Sequence, residues 1–312
     1  MITAKKSGKL FMAIALGTVM TTTFTACDKN NDDAAGPQSI ADIVNTNASF
    51  SLLKAAVAKA ELGAALSSGT LTVFAPDDAA FAASGITSAT IGTLTKDQLA
   101  NILTYHVVAA NVPSSAVPAS DTVKTLQGKN IYASKNANGV FVNGSAVKTA
   151  DVMASNGVIH IISSVLMPPT KTIAQLATET PELSLLLTAV VKAGLAGAVS
   201  GPGKYTVFAP TNAAFTAAGF PTAESINSAD MTAVAGIVAA HVLPTNVFAS
   251  DLVAGATPAT ALPGTSLSVG TTPPSVKITG SSQAASIIVV PAGVNIIATN
   301  GVVHLIDRVL LP

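Results

Sequence analysis

Ile40, Ile43 and Val44 stand at i, i+3 and i+4, and Leu52, Leu53, Ala56, Val57 and Ala60 carry a similar stripe along the next segment. Positions three and four apart share one face of an α-helix, so two amphipathic helices are predicted. Leu71-Thr72-Val73-Phe74-Ala75 then forms a short apolar run that predicts a buried strand. Pro76 ends it. Asp77 follows as the expected cap of a short helix, because its carboxylate can accept from the free N–H groups at a helix start. Ala80 at the N3 position excludes a reciprocal capping box. Leu99, Ile102, Leu103 and His106 make a third stripe, with the histidine on its apolar side. Beyond it come alternating segments rich in Thr, Val and Gly. Asn143-Gly144 and Asn156-Gly157 punctuate them and predict hairpins.

The whole pattern then returns. Ile173, Leu176 and Ala177 repeat the first helix; Leu185, Leu186, Ala189, Val190 and Ala193 repeat the second. Thr206-Val207-Phe208-Ala209-Pro210 repeats the strand, with Thr211 as the expected cap. Val234, Ile237, Val238 and His241 repeat the third stripe, and Asn300-Gly301-Val302-Val303-His304 repeats Asn156-Gly157-Val158-Ile159-His160. The separation is 134 positions for the strand and 144 for the last motif, too long for a solenoid unit and about right for a domain. Two domains are predicted, over residues 39–168 and 170–312. Pro168-Pro169 at the junction is stiff and limits their relative orientation. Helices first and strands afterwards predict an α+β class, with helices packed on an antiparallel sheet or small sandwich. The second copy holds 59 positions between His241 and Asn300 against 50 between His106 and Asn156, so it gains an extra hairpin or loop.

Composition adds a location. Lys5, Lys6 and Lys9 precede a short apolar run from Leu10 to Val19, which reads as a secretory signal over residues 1–26. Small residues then precede Cys27, the only cysteine of the chain. A lone thiol cannot close an internal disulfide, and lipid attachment accounts for it. Residues 27–38 are expected to be the lipidated cysteine and a flexible tether, spanning roughly 17–20 Å. Acyl chains would then hold the protein to a membrane, at about 0.8 kcal/mol for each buried CH₂. The expected address is the cell envelope, at the outer membrane, with the periplasmic or surface face left open. Apolar residues make up 49% of the 312 and charged residues 10%, so a packed core is expected. Arg308 is the only arginine and the net charge is zero, which argues against a nucleic-acid partner.

The Thr-Val-Phe-Ala-Pro-x-x-x-Ala-Phe box, the central helix ending in His, and Asn-Gly-x-x-His followed by an apolar run and a terminal Pro resemble the fasciclin domain. All three stand in both repeats, in order. The resemblance implies a seven-stranded β-sandwich or wedge with several packed helices in each domain. It implies an extracellular or envelope adhesion module and no enzyme. It marks Phe74, Pro76, Asp77, His160, Phe208, Pro210, Thr211, His241 and His304 as structural motif positions. In animal members a Tyr-His pair at the end of the central helix is associated with integrin binding. Tyr105-His106 matches that pair, whereas Ala240-His241 does not.

No other chemistry competes well. The four histidines, His106, His160, His241 and His304, all fall at repeat-matched positions. A metal site would need three or four ligands. No acid stands three or four residues from His106 or His241, so each histidine reads as a structural hydrogen-bonding group. No Gly-x-Ser-x-Gly elbow occurs. Gly201-Pro202-Gly203-Lys204-Tyr205 superficially resembles a phosphate loop, but Ala198 and Tyr205 occupy positions that need Gly and Ser or Thr. Asp77-Asp78 is replaced by Thr211-Asn212 in the second copy, which fits capping and not acid–base work. Asp121-Thr122-Val123 is a candidate O-glycosylation site. The expected function is adhesion or matrix interaction through an unidentified surface protein or polysaccharide, without cofactor or metal. The alternative is an envelope binding module for a glycan or a small hydrophobic ligand. A closed apolar pocket between helices and sandwich would favour that binding module, and a solid core would favour adhesion.

Overall fold

The computed structural model describes residues 36–270, 275–279, 284–288 and 295–312. The signal, Cys27 and most of the expected tether lie outside the described residues. Among those described, the first half carries helices α1 (Ile40–Thr46), α2 (Ser51–Lys59), α3 (Gly63–Leu66), α4 (Asp78–Ala83), α5 (Ser88–Thr93) and α6 (Lys96–Tyr105). Its strands are β1 (Leu71–Pro76), β2 (Val107–Val108), β3 (Ser120–Lys124), β4 (Asn130–Asn136), β5 (Gly139–Val142), β6 (Ser145–Ala154) and β7 (Gly157–Ile162). The second half repeats the order with α7 (Ile173–Glu179), α8 (Ser184–Lys192), α9 (Ala196–Ser200), α10 (Asn212–Ala217), α11 (Ala223–Ser228) and α12 (Met231–Ala240). Strands β8 (Tyr205–Pro210), β9 (Val242–Leu243), β10 (Leu267–Gly270), β11 (Ser275–Ile278), β12 (Ala285–Ser286), β13 (Ile296–Ala298) and β14 (Gly301–Ile306) complete it. No helix among the described residues is long and apolar enough to cross a membrane.

Side chains start these helices where the sequence places polar residues. Ser39 and Asp42 close a capping box on α1, Thr95 and Gln98 on α6, and Thr172 and Gln175 on α7. Asp77 accepts from the Ala80 N–H at 2.7 Å to start α4, and Thr211 accepts from Ala214 at 3.4 Å to start α10. Each such cap satisfies a backbone donor that the helix itself leaves open.

The first sheet runs β2-β1-β7-β6-β5-β4-β3. Here the expected antiparallel sheet needs correction. β1 and β7 lie parallel in the middle, from Leu71 opposite Gly157 to Pro76 opposite Ile162. In the second half β8 and β14 pair the same way, from Tyr205 opposite Gly301 to Pro210 opposite Ile306. Hairpins generate antiparallel neighbours, but β1 and β7 come from opposite ends of the repeat, so no turn constrains their sense. A parallel pair is buried on both faces, which is why β1 and β8 read as continuous apolar runs and not as alternation.

Alternate residues of β1 serve two cores. Val73 and Ala75 join Ile40, Val44, Phe50, Leu53 and Leu103 beneath the helices. Phe74 points the other way, into a cluster with Tyr105, Val108, Ile131, Val142, Ile162 and Leu166. That cluster unites strands far apart in the sheet order, so the sheet curls around it. Among the described residues of the second half, β13-β14-β8-β9 form one sheet and β10-β11-β12 another. Phe208, Leu243, Leu267, Val276, Ala285 and Ile306 tie both into one core, and a bridge joins Ile287 to Ile306.

The glycine of each Asn-Gly motif has a second task besides the turn. Gly157 has φ +147°, and a Cβ there would lie 1.8 Å from the Leu71 carbonyl oxygen. At Gly301 a Cβ would lie 2.0 Å from the Tyr205 carbonyl oxygen. The parallel strand can begin only where no side chain stands between the two backbones.

Candidate functional site

The α6 helix ends at His106, whose ring is 2% exposed. Its Nδ1 lies 2.8 Å from the Ile102 carbonyl, and its Nε2 accepts from the Leu166 N–H at 2.9 Å. A backbone N–H facing Nε2 requires that nitrogen to be the acceptor, so Nδ1 carries the proton and donates to Ile102. His241 repeats the arrangement with Ile237 and with the Leu310 N–H. Each imidazole therefore joins a helix end to the chain that leaves its domain. Burial pulls both rings from the usual 6.5 down to about 4, with the helix carbonyl pulling weakly upward. Both are neutral at ordinary pH, which this hydrogen-bond pattern requires.

His160 takes the opposite tautomer. Its Nδ1 accepts from the Asp151 N–H at 3.3 Å, and Nε2 faces the Val112 carbonyl at 2.9 Å. Its ring stacks on Phe74 with centroids 5.5 Å apart. His304 stacks likewise on Phe208 at 5.3 Å, with Nε2 2.8 Å from the Val247 carbonyl. The aromatic residue of the box and the last histidine thus form one pair in each domain. No group of three or more His, Cys, Asp or Glu side chains among the described residues is arranged to hold a metal ion.

Tyr105 and His106, the candidate adhesion pair, lie inside the domain. Tyr105 is 0% exposed, donates to the Asn130 carbonyl at 3.0 Å and accepts from Asn143 Nδ2 at 2.9 Å. Burial pushes its phenol up to about 12, with the Asn143 amide pulling partly back. The polar atoms of both side chains are engaged within the fold, so the pair offers no surface for a partner to touch. Aromatic character at a helix end does not tell a sequence reader which side is covered.

Asp77 also meets Lys148 Nζ at 2.8 Å. Asp78 accepts from the Leu52 N–H at 2.8 Å and from Ser51. Asn212 accepts from the Leu185 N–H at 3.0 Å. These side chains start α2 and α8 from outside, a structural job at positions that looked like a carboxylate pair. Asn156 and Asn300 do comparable work that sequence reasoning left unassigned. Asn156 accepts from the Ile40 N–H and donates to the Leu66 carbonyl, both at 2.9 Å. Asn300 accepts from Ile173 and donates to Val199, also at 2.9 Å. Thr72 Oγ1 donates to the Ala110 carbonyl and accepts from the Val112 N–H; Thr206 does the same with Thr245 and Val247. Identity between the two copies was the available signal for all four.

Two small voids stand in the apolar interior of the described residues. One void of about 40 Å³ lies beside Ile173, Val190 and His241, and another of about 20 Å³ beside Phe81, Leu99 and His106. Either is far below the 300–1,000 Å³ of ordinary small-molecule sites.

A larger space lies where the two halves meet. Ser134 Oγ donates to Asp251 Oδ1 at 2.6 Å, and Asn136 Nδ2 donates to the Ser250 carbonyl at 2.8 Å. Tyr132 stacks on Phe248 with centroids 5.0 Å apart. Lys129 Nζ donates to the Pro169 carbonyl in the junction. Beside these contacts a cleft of about 320 Å³ opens, lined by residues of both halves, among them Lys129, Tyr132, Lys204 and Asn246. The Thr72 and Thr206 hydrogen bonds align Val112 with Val247, and hence Pro113 with Phe248. The copies differ at this point, and the differing residue makes the contact between them.

Two tandem α+β domains, each closed by its own paired histidines, define a class of modular protein. Two segments of the chain, residues 48–168 and 181–312, match the family model described as the fasciclin domain. The chain belongs to the fasciclin-domain family. It is 42% identical over 133 residues to Protein sll1483 of Synechocystis, covering 42% of this chain and 73% of that one. It is 30% identical over 251 residues to the transforming growth factor-beta-induced protein ig-h3 of Oryctolagus cuniculus, covering 78% of this chain but only 35% of that longer protein. Human periostin is 27% identical over 217 residues, 69% of this chain and 25% of its own length. A solved FAS1 domain pair from the insect cell adhesion molecule Fasciclin I aligns with a TM-score of 0.43 and 18% identity, over 86% of this chain and 94% of that one.

Proposed function

We propose that this protein is a non-catalytic adhesion or matrix-interaction module of the cell envelope, displayed by a lipid on Cys27. Fasciclin domains are associated with cell adhesion and matrix interaction. The observation that carries the reading is the state of the polar residues: the four histidines and Tyr105 are all engaged within their own domains. A module built this way offers its surface, and not these side chains, to a partner. The cysteine, with the polar stretch after it, is the anchor and tether, and the membrane is a partner only through that lipid.

The test is adherence of cells that carry Cys27→Ala. The expected outcome is loss of the protein to the medium or the soluble fraction, together with loss of adherence. Unchanged membrane association overturns the anchor. Release of the protein with adherence unchanged overturns the adhesive role.

The second reading, a binding module for a small ligand, divides on the observed spaces. Voids of about 40 and 20 Å³ weigh against an apolar ligand within a domain. The cleft between the domains favours the glycan version.

A further inference from the structure

We propose that the cleft between the two domains binds a single pyranose ring bearing a carboxylate, that is, a uronic-acid unit of a polysaccharide. The inference rests on the binding role above and gives it a site and a ligand class.

Size comes first. At about 320 Å³ the cleft stands at the lower limit of small-molecule sites, so it suits one ring and not a chain of rings. Its walls come from both domains, a common setting for ligand sites.

Charge comes second. Lys129 and Lys204 both line the cleft, and its lining contains no Asp or Glu. Lys129 is held by the Pro169 carbonyl. Lys204 is exposed and forms no ion pair among the described residues. Asp251, the acid of the interface, is engaged by Ser134 and by the Phe248 N–H and is not part of the lining. The lining itself carries only positive side-chain charge, although Asp251 lies close enough to act on Tyr132. A lysine ammonium attracts an anion as a point charge and asks for no planar fork.

Hydrogen bonding comes third. Asn246 Oδ1 is the one buried side-chain N or O atom among the described residues that lacks a partner. A buried carbonyl without a donor costs about 1–3 kcal/mol, so natural folds seldom leave one idle. Asn246 is one of the residues that line this cleft, with Oδ1 itself covered by protein. Turned toward the cleft, this amide oxygen would accept from a sugar hydroxyl, a donor that a simple carboxylate lacks. Tyr132, fixed against Phe248, adds an aromatic wall for the C–H face of a ring. A ligand that satisfies all three demands is cyclic, hydroxylated and negatively charged.

The test titrates the purified protein with methyl α-galacturonoside, with methyl α-galactoside as the neutral counterpart and gluconate as an open-chain hydroxy acid. Calorimetry and ligand-observed NMR are the readouts. The uronoside is expected to bind about tenfold more tightly than either control, as loss of one good charged or hydrogen-bonded contact predicts. Lys204→Ala should weaken it about tenfold, and Asn246→Asp, which adds a like charge, by at least as much. Lys204→Ala, at an exposed position, should keep the wild-type melting temperature, which excludes unfolding as the cause. Absence of saturable uronoside binding overturns the proposal, as does equal binding of the galactoside or of gluconate. Unchanged affinity in both variants also overturns it. Adherence lost with Cys27→Ala while wild-type protein ignores the uronoside removes the cleft and leaves the adhesive role standing.

Discussion

His106 and His241 make protons a stability variable. Each is neutral in the folded state because burial has lowered its pKa to about 4 from 6.5. The unfolded chain takes up those protons below about pH 6.5, whereas the folded domain resists until about pH 4. The contribution is therefore complete above pH 6.5 and is lost as the pH falls toward 4. At about 1.36 kcal/mol per pKa unit, each ring accounts for about 3 kcal/mol. The melting temperature should fall steeply between pH 6.5 and 4. His106→Gln with His241→Gln should lower stability at pH 7 and flatten that fall. Equal pH slopes for wild type and double variant in thermal melts would contradict this account. The window lies above the pH at which Asp42 and Asp151 titrate, since their hydrogen bonds to Ser39 and Ser114 hold both carboxyls below the usual value.

At the scale of elements, the parallel β1–β7 pair is the point on which each domain closes. Gly157→Ala puts a methyl group against the Leu71 carbonyl, which neither strand can avoid without losing register. The expected cost is roughly 3 kcal/mol or more in denaturant unfolding. Gly85→Ala is the control. It also has a positive φ, +69°, but open space around it, so it should cost clearly less. Equal costs would mean that backbone conformation, and not the approach of the strands, dictates glycine. The stripes of α2, α6, α8 and α12 were legible because helical periodicity is local. The caps at Asp77 and Thr211 were legible because the acceptor and its donor are three residues apart. The parallel pairing was not, since Leu71 and Gly157 meet across the length of a domain and period alone does not set strand sense.

For the whole molecule, the contact between domains is more than a stiff junction. Phe248 is 2% exposed and stacks on Tyr132. Phe248→Ala should remove most of this apolar contact while leaving each domain core intact. Truncating a buried phenylalanine costs about 3–5 kcal/mol, shared here between the second domain and the interface. Calorimetry should then resolve two thermal transitions where the wild type gives one. A single transition of unchanged width and midpoint would mean that the stacking of Phe248 on Tyr132 does not couple the domains. The sequence named two domains and a stiff junction, but Tyr132, Ser134, Asp251 and Phe248 carried no mark that they would meet. His106 stands on the apolar stripe of its helix, whereas nothing within a few residues marks its neighbour Tyr105 as fully buried.

What the chain determines by itself is whatever can be read within a few residues or by laying one repeat on the other: stripes, caps, turns, the duplicated motifs and the family they define. Tertiary structure alone decided the parallel strands, the backbone N–H that His106 and His241 each receive from the far end of the domain, the burial of Tyr105 and the cleft beside Asn246. The physical reason is that periodicity reports which side of an element is apolar, whereas the surface that covers it is supplied by residues tens of positions away.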